Sequence, residues 1–112
     1  MKNKLLAFIA EHPRCSFDQI ESFFKQNGYD YKGHCNLKPD EYENLSYWYN
    51  WNEEAFNLII DLVHNGQISF YIADKYDLFM FSKFPRIPIA KSMRSYKSER
   101  WLPIVISVED SH

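Results

Sequence analysis

Residues 53–65 constrain this chain more than any other stretch. Ala55, Phe56, Ile59, Ile60, Leu62 and Val63 recur at helical spacing, Asn52 stands at the N-cap, and Gly66 occupies the position after the last turn. Such a helix must bury its apolar stripe against another layer, so the remaining chain has to supply one. Two further helices are expected upstream. Residues 2–12 gather Leu5, Leu6, Phe8 and Ile9 on one side and stop at Pro13. Ser16 with Gln19 fits a capping box for a helix that runs from Phe17 through Ile20, Phe23 and Phe24 to Gly28. With 112 residues the chain fits one domain, 1–112.

Strand signals fill the gaps. Leu45, Tyr47, Tyr49 and Trp51 alternate with Ser46, Trp48 and Asn50, a period of two that predicts a strand over 45–51. Residues 67–72 and 78–82 read as a hairpin around a turn at 73–77, and residues 104–108 as a final strand. The polar stretch 29–44 reads as an ordered loop with a short strand at 29–32. The expected core is Leu5, Ile9, Ile20, Phe24, Phe56, Ile59, Ile60, Val63, Ile68 and Phe70, and Ile60→Asp is expected to unfold the domain.

Helix, helix, later helix and then hairpin, with the spacing Leu58-x3-Leu62-x3-Gly66-x-Ile68, resembles the winged-helix family. The resemblance implies an α+β fold, winged-helix-like, with three helices and a small antiparallel sheet. One departure is plain. Roughly two dozen residues separate the second and third helices, where the family has a tight turn.

Several chemistries are set aside by spacing. Three glycines leave no dinucleotide fingerprint. Gly28-x4-Gly33 has phosphate-loop spacing, but His34-Cys35 stands where Lys-Ser/Thr would be needed. His12-x2-Cys15 and the adjacent His34-Cys35 lack the ligand spacing of a zinc site, so no metal and no cofactor are expected. Two cysteines do not make a disulfide framework. No serine has nucleophile-elbow glycines, and Glu53 and Glu54, neighbours on a helix, point about 100° apart. A non-catalytic chain is expected. No apolar run approaches the ~20 residues of a membrane span. The run at 5–10 is too short for a signal peptide, which points to the cytoplasm.

Charge and aromatic content carry the functional reading. The net charge of −2 is unevenly spread: residues 1–82 hold an excess of acids, whereas 83–101 hold Lys83, Arg86, Lys91, Arg94, Lys97 and Arg100 against Glu99 alone. This basic, proline-containing segment (83–103) interleaves its cations with Tyr96 and Trp101. If 90–98 is helical, Lys91, Arg94 and Lys97 share one arc suited to phosphate contact, with the rings available for stacking. The alternative is that the segment docks on the acidic body. Aromatics make 18% of the chain, enough for a core and for a binding face. In the run 47–51, Trp48 on the outward phase is a candidate anchor.

Trp51-Asn52-x-Glu54-Ala55, Gly66-x-Ile68, Ile87-Pro88-Ile89-Ala90-Lys91, Tyr96-Lys97-x-x-Arg100-Trp101-Leu102-Pro103 and Tyr31-Lys32-Gly33 together resemble a group of small phage and pathogenicity-island proteins of Gram-positive bacteria. The resemblance implies a mobile-element setting and no particular activity. Two functions follow as expectations. One is an accessory protein that binds and modulates a host, phage or defence protein. The other is a nucleic-acid-binding regulator acting through Lys91, Arg94, Lys97 and Arg100. The third helix is expected to stay out of a DNA groove, because Glu53, Glu54 and Asp61 would repel the duplex.

Overall fold

The computed structural model of the chain describes residues 1–109. Asp110 and the last two positions of the expected 1–112 domain lie outside the described residues. The two N-terminal helices form as their end signals dictate. α1 spans Lys2–Glu11 and α2 spans Phe17–Gln26. Ser16 Oγ accepts from the Gln19 N–H, and the Gln19 side chain accepts from the Ser16 N–H at 2.9 Å, which closes the capping box.

The insertion that follows is more structured than a loop. β1 (Lys32–Leu37) and β3 (Trp48–Trp51) form an antiparallel pair with a register break between Lys32 and Cys35. The expected strand over 45–51 is divided at Tyr47, whose N–H bonds to the Leu37 carbonyl. The first piece, β2 (Leu45–Ser46), pairs in parallel with β5 (Arg100–Trp101) instead. Gly33 is glycine for a steric reason unrelated to phosphate binding. A Cβ there would lie 2.6 Å from Asn52 Cα and 2.8 Å from the Trp51 carbonyl oxygen, with backbone on both counts.

α3 (Glu53–His64) is capped by Asn52, which accepts from the Ala55 N–H at 2.8 Å. Gly66, at φ +71, turns the chain into β4 (Ile68–Ile72). The expected hairpin partner at 78–82 is not a strand. Residues 75–79 form a short helix, α4 (Lys75–Phe79), because Asp74 accepts from the Tyr76 and Asp77 N–H groups while Asp77 accepts from the Asp74 N–H. β4 pairs instead with β6 (Ile104–Val108), antiparallel and in unbroken register from Ile68↔Val108 to Ile72↔Ile104. Cys15 adds an antiparallel bridge to Ile106, with both main-chain bonds at 2.8 Å, so the lateral order is Cys15, β6, β4. The architecture among the described residues is α+β, with four helices rather than three and three two-stranded sheets.

The core lies between the helices and these sheets. Leu5, Ile9, Ile20, Phe24, Phe56, Ile59 and Ile68 are buried as expected. Ile60, Val63 and Phe70 are only half-buried. The buried stripe of α3 is Ala55, Phe56, Ile59 and Leu62, which turns Ile60 toward the side of the helix. Aromatic rings fill much of the interior: Trp51 stacks on Phe56 at 4.8 Å and meets Phe24 edge-on at 5.2 Å. Among the described residues no helix is long and apolar enough to cross a membrane.

Candidate interaction surfaces

The residues singled out from sequence separate into two groups. Trp48 and Trp101 are 2% and 1% exposed, so neither is a surface anchor. The alternation over 45–51 does not hold through β3: Asn50 takes a positive φ and is exposed, and Trp48 and Trp51, three residues apart, both face Glu21 on α2. Phe17 stacks on Trp48 at 5.7 Å, and Trp101 meets Trp48 edge-on at 6.0 Å. Both indoles also find hydrogen-bond acceptors, as buried indoles must. Trp101 Nε1 donates to the Tyr47 carbonyl at 3.0 Å. Trp48 and Trp51 each donate to Glu21 Oε2, at 2.8 and 2.9 Å.

Glu21 is 4% exposed and its second oxygen accepts from Lys83 Nζ at 2.9 Å. One carboxylate on α2 therefore ties together β3 and the start of the basic segment. A neighbouring carboxylate does similar work. Asp18 Oδ2 accepts from the Ser82 N–H at 2.9 Å and from Ser82 Oγ at 2.6 Å, fixing the chain where it leaves α4.

Lys91, Arg94 and Lys97 are exposed and form no ion pair among the described residues. They do not share a helical arc, because 90–98 is irregular. The organising group is Tyr96. Its hydroxyl accepts from the N–H groups of Lys91 and Ser92 and donates to the Ser92 carbonyl at 3.2 Å. The guanidinium groups of Arg94 and Arg100 lie 4.8 and 5.3 Å from the centre of its ring. Arg94, followed by hydrogen bonds at Ser92 and Lys91, lowers the Tyr96 phenol to about 8. The loop is also tethered to the body. Asn44 Nδ2 donates to the Tyr96 carbonyl at 2.7 Å, and Glu99 accepts from Ser46 and Tyr49. So the segment is docked along one side and presents Lys91, Arg94 and Lys97 on the other. Arg100 belongs to the docked side and is half-buried.

A cleft of about 390 Å³ opens where the basic segment begins, with Trp48, Tyr49, Phe84 and Ile87 as walls and Lys83 and Arg86 at the rim. A second groove of about 260 Å³ lies between α3 and the loop after β1, with Leu37, Tyr47, Ile60, Val63 and Phe70 among its lining and Lys38, Asp40 and His64 also bordering it.

The surface that sequence reading missed is α4. Tyr76, Phe79 and Met80 are 69%, 83% and 74% exposed, and their i, i+3, i+4 spacing places them on one face. The element under them is held firmly. Arg14 makes a two-pronged pair with Asp77, Nε to Oδ1 at 2.9 Å and the terminal nitrogen to Oδ2. That contact holds the Asp77 carboxyl below its usual range. The available sequence signal was Asp74 with Asp77 three residues on, a capping box inside what had been read as a turn. Cys15, near this face, is buried, and burial pushes its thiol up to about 12.

The chain matches no family model, no curated protein and no solved structure.

Proposed function

We propose that this chain is a non-catalytic accessory protein that acts by binding another protein through the exposed face of α4. The observation that carries the reading is the pairing of Tyr76, Phe79 and Met80 in solvent with a helix that is capped, ion-paired to Arg14 and anchored through Ser82. Exposed rings on a floppy element are ordinary. Exposed rings on a pinned helix are pre-organised for a partner, which lowers the cost of ordering them on association. The resemblance to phage and pathogenicity-island proteins supplies the setting, in which the partner is a host, phage or defence protein.

In this proposal the chain is winged-helix-like. Three helices precede β4 and β6, and Cys15 joins β6 on its other side. Residues 73–103 then stand where a wing would be, with α4 inside them. The third helix of such a fold ordinarily reads the major groove. Here its outward side carries Glu53, Glu54, Asn57 and Asp61, all exposed, which favours a protein partner over DNA.

A second reading is favoured by the exposed Lys91, Arg94 and Lys97, which form no ion pair among the described residues: nucleic-acid contact through this loop, weakening steeply with salt. Capture from a Gram-positive lysate, with and without nuclease, tests both. The protein-binding reading expects a partner that survives nuclease and is lost with Phe79→Ser/Met80→Ser. It is overturned if recovery is indifferent to that variant, or if only nuclease-sensitive nucleic acid is captured and is lost with a Lys91/Arg94/Lys97 triple alanine.

A further inference from the structure

The edge of β4 away from β6 is unpaired among the described residues. The register fixes which main-chain groups are free there. The Glu109 N–H bonds to the Gln67 carbonyl and the Ala73 N–H to the Pro103 carbonyl, so residues 67, 69, 71 and 73 face β6. Ile106, opposite Phe70, sends both its main-chain groups the other way, to Cys15. The N–H and C=O of Phe70 and Ile72 therefore point outward, and they bond to nothing among the described residues.

Sheet edges of this kind are normally blunted by a lysine, a proline, a bulge or a covering element. From Gln67 to Ala73 there is no charge and no proline, and the register has no bulge. Ile72 is 49% exposed. The groove of about 260 Å³ beside α3 is continuous with this edge through Phe70, whose ring lines it with Ile60, Val63 and Tyr47. Main-chain groups and a side-chain pocket thus adjoin at one residue.

We infer that β4 accepts an extended, uncharged peptide segment of a partner protein, which adds as a strand at Phe70 and Ile72 and places one apolar side chain in the groove. Such strand addition draws affinity from main-chain bonds and selectivity from the pocket. The size of the site chooses this occupant over a second copy. A five-residue edge runs about 17 Å and, as a strip about 10 Å deep, would bury about 340 Å² over both partners, well short of the roughly 1,200–2,000 Å² of a stable dimer. The edge from Gln67 to Ala73 carries no charge, and the Lys38 and Asp40 that border the groove offset one another, which suits an uncharged segment.

The inference rests on the protein-binding reading but uses a surface separate from α4. The probe is an uncharged ten-residue peptide alternating threonine and valine around one central phenylalanine, with a proline-interrupted version as control. Amide exchange of the full chain, followed residue by residue, is expected to slow about tenfold or more at Phe70 and Ile72 with the first peptide only. Ile72→Pro removes an outward donor and leaves the bonds to β6 at Tyr71 and Ala73 intact. It is expected to weaken binding about fivefold or more with little change in melting. Should that variant not fold, Ile60→Glu at the groove wall is expected to weaken the same peptide. No protection at either amide with millimolar peptide overturns the assignment, as does equal binding of the proline-interrupted control. A dimer in sedimentation equilibrium that Ile72→Pro dissolves also overturns it, making the occupant a second copy. Failure at β4 with α4-dependent capture intact leaves the protein-binding reading standing.

Discussion

Replacing Glu21 tests the packing of this protein most directly. In Glu21→Ala the buried indole N–H groups of Trp48 and Trp51 lose their shared acceptor, and neither ring can turn toward water without leaving the core. An unsatisfied buried donor costs about 1–3 kcal/mol, which gives about 2–6 kcal/mol for the two. Removing a buried charge recovers part of its desolvation penalty, and the Lys83 side chain, 55% exposed, swings into water at little cost. The expected net loss is about 2–4 kcal/mol, a large share of the roughly 5–15 kcal/mol that holds a domain together. Glu21→Gln keeps one oxygen where both indoles converge and is expected to lose about 1–2 kcal/mol. Lys83→Met leaves one oxygen of the buried Glu21 carboxylate without its partner and is expected to lose about 1–3 kcal/mol. Urea unfolding followed by tryptophan fluorescence measures all three. A Glu21→Ala protein within about 0.5 kcal/mol of wild type would refute the assignment.

Four further outcomes follow. Ile59→Asp is expected to cost about 3–5 kcal/mol and Ile60→Asp about 1–2 kcal/mol, because only the first is fully buried; thermal melts compare them. Asp77 has a lowered value in the folded state, so its stabilising pair with Arg14 is complete above the ordinary carboxylate range and fades as the pH falls through the lowered value; Arg14→Ala should weaken that acid-side dependence, leaving the smaller part due to the Asp74 N–H, read by carboxyl NMR titration. Tyr96 is expected to ionise near pH 8 in its ultraviolet difference spectrum, and Arg94→Ala to move it up toward the ordinary tyrosine range. A thiol reagent should find one accessible cysteine, Cys35, in the native chain and two after unfolding.

The features read correctly from sequence are those encoded within a few residues. Ser16 with Gln19, Asn52 before α3, and the glycines at 28 and 66 with positive φ all specify their ends locally. What failed was long-range. Nothing near residue 70 says that its strand partner lies at 106 rather than at 80, since both segments are apolar enough. Alternation puts Trp48 opposite Trp51, and here the positive φ at Asn50 breaks the period so that both indoles turn toward Glu21 on α2. Of the candidate site, Lys91, Arg94 and Lys97 were legible as exposed cations. Their arrangement around Tyr96 was not, because an irregular loop has no period to read. The α4 face was hidden by the opposite error, a capping box mistaken for a turn.

The sheet order Cys15, β6, β4 has a consequence for how the chain acquires its structure. Both flanking segments bond to the same strand, and Cys15 must wait for Ile106 to arrive from far along the chain. The helices can begin to form from local contacts as soon as they are made, but the sheet has no partner pair until residues 104–108 are available. Contacts this distant in sequence make for slow assembly. During that interval β4 has two unpaired edges rather than one, and its run of Ile68, Phe70, Tyr71 and Ile72 is exposed to other chains. Truncation before Ile104 would make that state permanent, so such a fragment should aggregate rather than persist as a partly folded monomer.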